Sequence, residues 1–143
     1  MSTRAAITRL VLGMSLLLTG SCGSNSSPTT PTTDFIALDS IAPAAGTTLK
    51  AGDRVTFTAV VTCTIVSSTG GFTTMLLADQ FKRLLTPADE PPQRTPLSKG
   101  TATVTLSNTI TIPASGTVRV ALPIFINESN STAAAVTRDY PVQ

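Results

Sequence analysis

From Arg54 to Val66 the chain alternates apolar and polar residues with a period of two. Val55, Phe57, Ala59, Val61, Cys63 and Ile65 fall on one face, and Thr56, Thr58, Val60, Thr62 and Thr64 fall on the other. Residues two apart share a face only in an extended chain, so this pattern predicts a half-buried antiparallel strand. β-Branched residues dominate the stretch, which argues further against helix. A second alternating run, Val118, Val120, Leu122, Ile124 and Ile126, leaves Phe125 on the outward face. Pro123 interrupts that run. Lacking an amide hydrogen, it predicts a bulge or a locally unpaired edge.

The remaining segments follow in chain order. Phe35 to Ile41 reads as a first strand, closed by turn chemistry at Pro43-Ala44-Ala45-Gly46. Leu49 precedes a second turn at Lys50-Ala51-Gly52-Asp53. Ser67 to Gly71 reads as a loop and Phe72 to Phe81 as a strand. Lys82 to Lys99 contains Pro87, Pro91, Pro92 and Pro96 and reads as a long loop, with room for a short edge strand near Leu84-Leu85. Thr101 to Ile112 alternates again, with Ser107-Asn108 as a bulge or turn where the phase resets. Pro113 to Gly116 turns the chain, Asn127 to Ser131 forms a hairpin loop, and Thr132 to Val142 closes the domain. The expectation is all-β: an antiparallel two-sheet sandwich of about seven strands over residues 34–143.

Ahead of this region the pattern changes. Arg4 and Arg9 precede an apolar run beginning at Leu10, which closes in Leu16-Leu17-Leu18-Thr19-Gly20-Ser21-Cys22. A basic segment, an apolar segment and small residues at the cut make a secretory signal. The cysteine directly after the small residues makes this segment resemble a bacterial lipoprotein signal, although Thr19 stands where that family usually has Leu. The resemblance implies a signal peptide over 1–21, acylation of Cys22, and a membrane held through that lipid. Two other readings stand beside it, a plain secretory signal cut nearby and an uncleaved anchor. The anchor is disfavoured because the apolar run is short of the ~20 residues that span a bilayer. Gly23 after the cysteine, where the family often uses Asp for inner-membrane retention, favours the outer membrane in a Gram-negative host. Residues 22–33, rich in Ser, Thr and Pro, read as an extended tether.

Around Pro43-Ala44-Ala45-Gly46, Leu49, Gly52 and Val55, and again at Tyr140-Pro141-Val142, the chain resembles the small immunoglobulin-like domains of bacterial surface lipoproteins. That resemblance implies an immunoglobulin-like sandwich. The chain departs from antibody-type domains in having no Trp, and with Cys22 taken by lipid Cys63 lacks an inter-sheet partner.

Charge and composition narrow the chemistry. With Arg4 and Arg9 set aside, eight basic residues face eight acidic ones. No basic patch exists to hold nucleic acid. There is no His, which removes the commonest catalytic base and zinc ligand. Ser98 and Lys99 are adjacent, so on a strand they point apart and form no dyad. Asp89-Glu90 reads as solvated loop charge, without the further ligands a calcium site needs. Gly70-Gly71 reads as a turn. Asn25, Asn127 and Asn130 stand in Asn-x-Ser/Thr patterns, read as ordinary polar positions in a bacterial protein. Cys63 reads as a small buried hydrophobe. Candidate material for a sugar platform is limited to Phe72, Phe81, Phe125 and Tyr140. The expectation is no enzyme, no cofactor and no metal. The leading reading is a lipid-anchored envelope module that meets an unidentified envelope or surface protein. The alternative is a carbohydrate-binding or adhesive surface module.

Overall fold

The computed structural model describes residues 32–85, 92–127 and 131–143. The expected signal segment, Cys22, Asn25, most of the expected tether, the Asp89-Glu90 pair and Asn130 lie outside the described residues. Within them the protein is all-β, with six antiparallel strands: β1 Phe35–Ala42, β2 Arg54–Thr73, β3 Leu76–Ala78, β4 Thr95–Thr111, β5 Gly116–Ile126 and β6 Thr132–Val142.

The course of β2 builds both layers of a sandwich-like fold. As far as Ile65 it lies between β1 and β4, with Phe35 opposite Thr64 on one side and Ile65 opposite Gly100 on the other. The β2–β4 register then slips between Ile65 and Gly70. Beyond the slip, Gly71–Thr73 pair with Ile124–Ile126 of β5 while still holding the start of β4. β2 and β4 thus cross together from one layer into the other. β5 carries β6 along its length and β3 at Leu76–Ala78.

The two inner faces form one core. Phe57, Ala59, Val61, Cys63 and Ile65 of β2, with Leu106 and Ile110 of β4, share a buried cluster with Leu77, Val118, Val120, Leu122, Ile124 and Tyr140. Each buried large aliphatic side chain contributes about 1.5–3 kcal/mol of transfer free energy. Phe57 meets Tyr140 edge-on at 5.2 Å. The Tyr140 hydroxyl donates to the Pro43 carbonyl at 2.8 Å, satisfying its polar end. On the outer face of β2 and β4 the hydroxyls pair across strands: Thr56 with Thr109, Thr62 with Thr103, and Thr64 with Thr101, at 2.8–3.0 Å. Leu49 ties the C-terminus, donating to Pro141 and accepting from Gln143. Gly52, at φ +83°, supplies the left-handed residue of the turn before β2.

Several expectations are corrected. Ser67 to Gly71 is not a loop: it continues β2 through the register slip. Phe72 to Phe81 is not one strand. It is the end of β2, a break at Thr74-Met75, the short β3, and a turn in which the Asp79 carboxylate accepts from the Phe81 and Arg83 amides. The loop over 82–99 ends early, because Thr95 to Lys99 already belong to β4. The proposed edge pairing near Leu84 is present as a bridge from Leu84 to Ala78. No phase reset occurs at Ser107-Asn108, since the β2–β4 register runs unbroken from Arg54 to Ile65. Asn108 instead takes an inward, half-buried position, and its Nδ2 donates to the Met75 carbonyl at 3.3 Å. Pro123 is accommodated as expected, next to a register irregularity between Ile124 and Phe125.

Candidate functional site

The site begins where β2 leaves the first layer. In the second layer Phe72 and Phe125 stand directly opposite each other on adjacent strands. Cross-strand partners project to the same face, so both rings come out on the side away from the core. They stack at 4.9 Å between centroids, 20° from parallel. The break after β2 places Thr74 beside them, and β3 adds Leu76. The returning segment that bridges to β3 brings Leu84, 58% exposed. Pro92 and Arg94 complete a hollow of 270 Å³.

Two polar groups mark this otherwise apolar hollow. The Arg94 guanidinium lies 4.7 Å from the centre of the Phe72 ring, a cation–π contact. Among the described residues it has no carboxylate partner; the ion pairs there are Arg83–Asp79 and Arg119–Asp139. Thr74 is 4% exposed, and its buried Oγ1 has no hydrogen-bond partner among the described residues. A buried hydroxyl without a partner costs about 1–3 kcal/mol, so such groups are rare unless something else meets them.

The second hollow carries its own ion pair. Asp79, Gln80, Lys82, Thr117, Arg119 and Asp139 line a polar hollow of 180 Å³. In it Arg119 grips Asp139 through two hydrogen bonds of 2.7 and 2.8 Å, and the guanidinium holds the Asp139 carboxyl below the usual range. Cys63 points into the core as expected, and burial, with the Asp39 charge adding to it, pushes its thiol up to about 11. Among the described residues no group of three His, Cys, Asp or Glu side chains is placed to hold a metal.

The aromatic candidates separate cleanly. Phe72 and Phe125 come together; Tyr140 is fully buried and offers no platform; Phe81 is 67% exposed on its turn, under Arg83. Ser98 and Lys99 are adjacent and exposed on β4, and Gly70-Gly71 lie inside β2. The outward direction of Phe125 was legible from alternation. Thr74, Leu84 and Arg94 were not, because nothing in their spacing ties them to Phe72.

No family model matches the chain, and no curated protein matches it. Among solved structures, a putative β-galactosidase from Bacteroides fragilis is similar at 12% identity and a TM-score of 0.43 over 74% of this chain. A β-glucosidase from Listeria innocua is similar at 12% identity and 0.44 over 76%. A family 123 glycoside hydrolase from Clostridium perfringens is similar at 13% and 0.29 over 67%. The chain spans 15%, 16% and 22% of those three chains. At these scores the likeness assigns neither a family nor an activity.

Proposed function

We propose that this is a non-catalytic immunoglobulin-like module of the bacterial cell envelope, anchored by lipid at Cys22, which holds a partner protein in the Phe72–Phe125 hollow. One observation carries the reading: two stacked aromatic rings, an exposed leucine and a cation without a carboxylate partner among the described residues share one hollow. Aromatic and Arg side chains are the groups that dominate protein interfaces when a partner covers them. The alternative, a sugar platform, is less well supported. A sugar needs an open ring face, and Phe72 is flanked by Phe125 and Arg94.

The membrane part of the proposal rests on the order of residues around Cys22. Where the tether meets the domain, Asp34 accepts from the Val66 and Ser67 amides and from the Ser67 hydroxyl. That clamp holds the chain close to the start of the β2 crossover.

Two measurements test the proposal. Labelled fatty acid should enter the wild type and not Cys22→Ser; equal labelling overturns the anchor. A photoreactive amino acid at Phe125 should give a discrete protein adduct in cells that is absent when the same group replaces Thr105, on the hydroxyl face. Identical products at both positions, or none at Phe125, overturn the choice of surface. Retention of a glycan by wild type but not by Phe125→Ala would establish the sugar reading instead.

A further inference from the structure

The hollow also indicates what part of a partner it takes. We infer that it receives a free carboxyl terminus, with the last side chain apolar and the terminal α-carboxylate held by Arg94. This rests on the reading of the hollow as the partner-binding site and adds the chemistry of the bound group.

Size is the first argument. At 270 Å³ the hollow is below the range of about 300–1,000 Å³ that holds a drug-sized ligand, so it suits one residue. Its walls require two properties of that residue. Phe72, Phe125, Leu76, Leu84 and Pro92 require an apolar group. Arg94, on the same wall and already aligned by the Phe72 ring, requires an anion. A carboxylate is the anion that matches a guanidinium with two parallel hydrogen bonds.

Geometry then separates the possible carboxylates. An internal Asp or Glu beside an apolar neighbour does not meet both demands in one small hollow. In an extended segment adjacent side chains point to opposite sides. A C-terminal residue carries its carboxylate and its apolar side chain on the same Cα, so one residue satisfies both walls.

Thr74 is the independent observation. Its Oγ1 is buried and has no hydrogen-bond partner among the described residues, and Thr74 lines the same hollow. In the inferred complex a turn about χ1 would aim this hydroxyl at the second carboxylate oxygen. A group that costs stability when empty and is used when filled should show opposite effects in the two states. Replacing Thr74 with Val, its near-isostere, removes the unpartnered hydroxyl from the empty protein and a donor from the filled one.

The test uses the full chain in lipid nanodiscs, with N-acetyl-leucine and N-acetyl-leucinamide as probes. Binding is followed through the Arg94 side-chain ¹⁵Nε resonance and the Phe125 ring signals. The acid should bind at least tenfold more tightly than the amide. Arg94→Gln should abolish that preference while the amide's weak binding stays. Thr74→Val should weaken the acid several-fold, with an unchanged or raised melting temperature. Equal binding of acid and amide, binding of neither, or an acid preference that survives Arg94→Gln overturns the inference. The photo-adduct at position 125 is read separately. An adduct together with no acid preference leaves the partner site standing and removes only the terminal carboxylate. Loss of both removes the site as well.

Discussion

The two ends of β2 obey different rules, although they belong to one strand. From Arg54 to Cys63 one face is packed and the other is at least partly open to solvent, so inward apolar residues alternate with outward, mostly hydroxyl, ones; Thr64, already next to the crossover, is buried. From Ser68 to Met75 the chain crosses between layers, and Ser68, Gly70, Gly71, Thr73, Thr74 and Met75 are all buried. In the first stretch a side chain's position is set by its parity. In the second, backbone packs on both sides and parity says little. Gly71 shows the difference most clearly: a Cβ there would lie 2.0 Å from the Phe125 carbonyl oxygen. Gly70 and Gly71 stand in the crossover because neighbouring backbone occupies the space, and the candidate site is built from Phe72 and Thr74 at its end and the segments that follow.

The largest expected effect tests the alternating half. Val61 is fully buried on β2. Val61→Asp places an unpaired carboxylate in the core, at a cost of several kcal/mol, against a total stability of about 5–15 for a domain. The variant should be unfolded or nearly so by circular dichroism. Cys63, on the same face with its thiol pushed up to about 11, reports the same register. It should resist a thiol reagent in native wild type and react fully in denaturant. Fast native labelling with a tolerated Val61→Asp would show the two faces exchanged, as a one-residue slip would do.

The next effect tests the crossover half. Gly71→Ala adds one methyl group, yet the atom it meets is backbone rather than a flexible side chain. The β2 and β5 strands must part there, at about 1–3 kcal/mol, the range for overpacking. Thermal unfolding should fall accordingly, and the Phe72–Phe125 stack should loosen, seen in the ring signals. Ser67→Ala, at an exposed position just before, should shift stability far less. Equal effects at the two positions would remove the distinction between the halves.

These two halves also explain how much could be read from the sequence. Both long alternating strands, the turn glycines, the inward Cys63 and the outward Phe125 follow from period two and turn chemistry. The crossover did not follow, because Ser67-Ser68-Thr69-Gly70-Gly71 has the composition of a loop and only tertiary packing makes it strand. Asn108 was misread for a related reason. A polar residue at an inward position looks like a change of phase, yet here its amide reaches the Met75 carbonyl. In the site, Phe72 and Phe125 are far apart in sequence and meet only because the crossover pairs them. Arg94 follows a Pro-rich stretch that carries no period at all.

A smaller effect probes the joint between the two halves. The Asp34 carboxyl is held below its ordinary value, mainly by the Ser67 hydroxyl, then by the Ser67 and Val66 amides. A depressed folded-state value contributes stability above the unfolded value, near 3.9 for Asp, and loses it as pH falls through the folded one. Asp34→Asn should therefore be modestly less stable than wild type at neutral pH. The gap should narrow as pH drops below about 4. Because Asp34 is largely solvated, the difference should also be small. A pH-independent gap would show that the clamp acts through shape and not through charge.

The smallest expected effect lies on the wet face of the alternating half. Thr56 and Thr109 pair their hydroxyls at 2.8 Å, and both are accessible to solvent. Thr56→Val keeps the β-branched shape and removes the donor. The Thr109 hydroxyl then turns to water, so no polar group is left unsatisfied. Cross-strand hydroxyl pairs contribute about 0.2–1 kcal/mol, and Val has a strand propensity as high as Thr, so the net change should be within about 0.5 kcal/mol. Chemical denaturation with matched slopes measures it. The contrast is with Thr73, fully buried in the crossover, whose hydroxyl donates to the Pro123 carbonyl at 2.8 Å. The same Thr→Val change there strands a buried carbonyl and should cost about 1–3 kcal/mol. One substitution placed at both ends of one strand thus separates a residue held by its face from a residue held by its partners. Equal costs at Thr56 and Thr73 would mean that the hydroxyl face is covered, and so that it, too, is an interface.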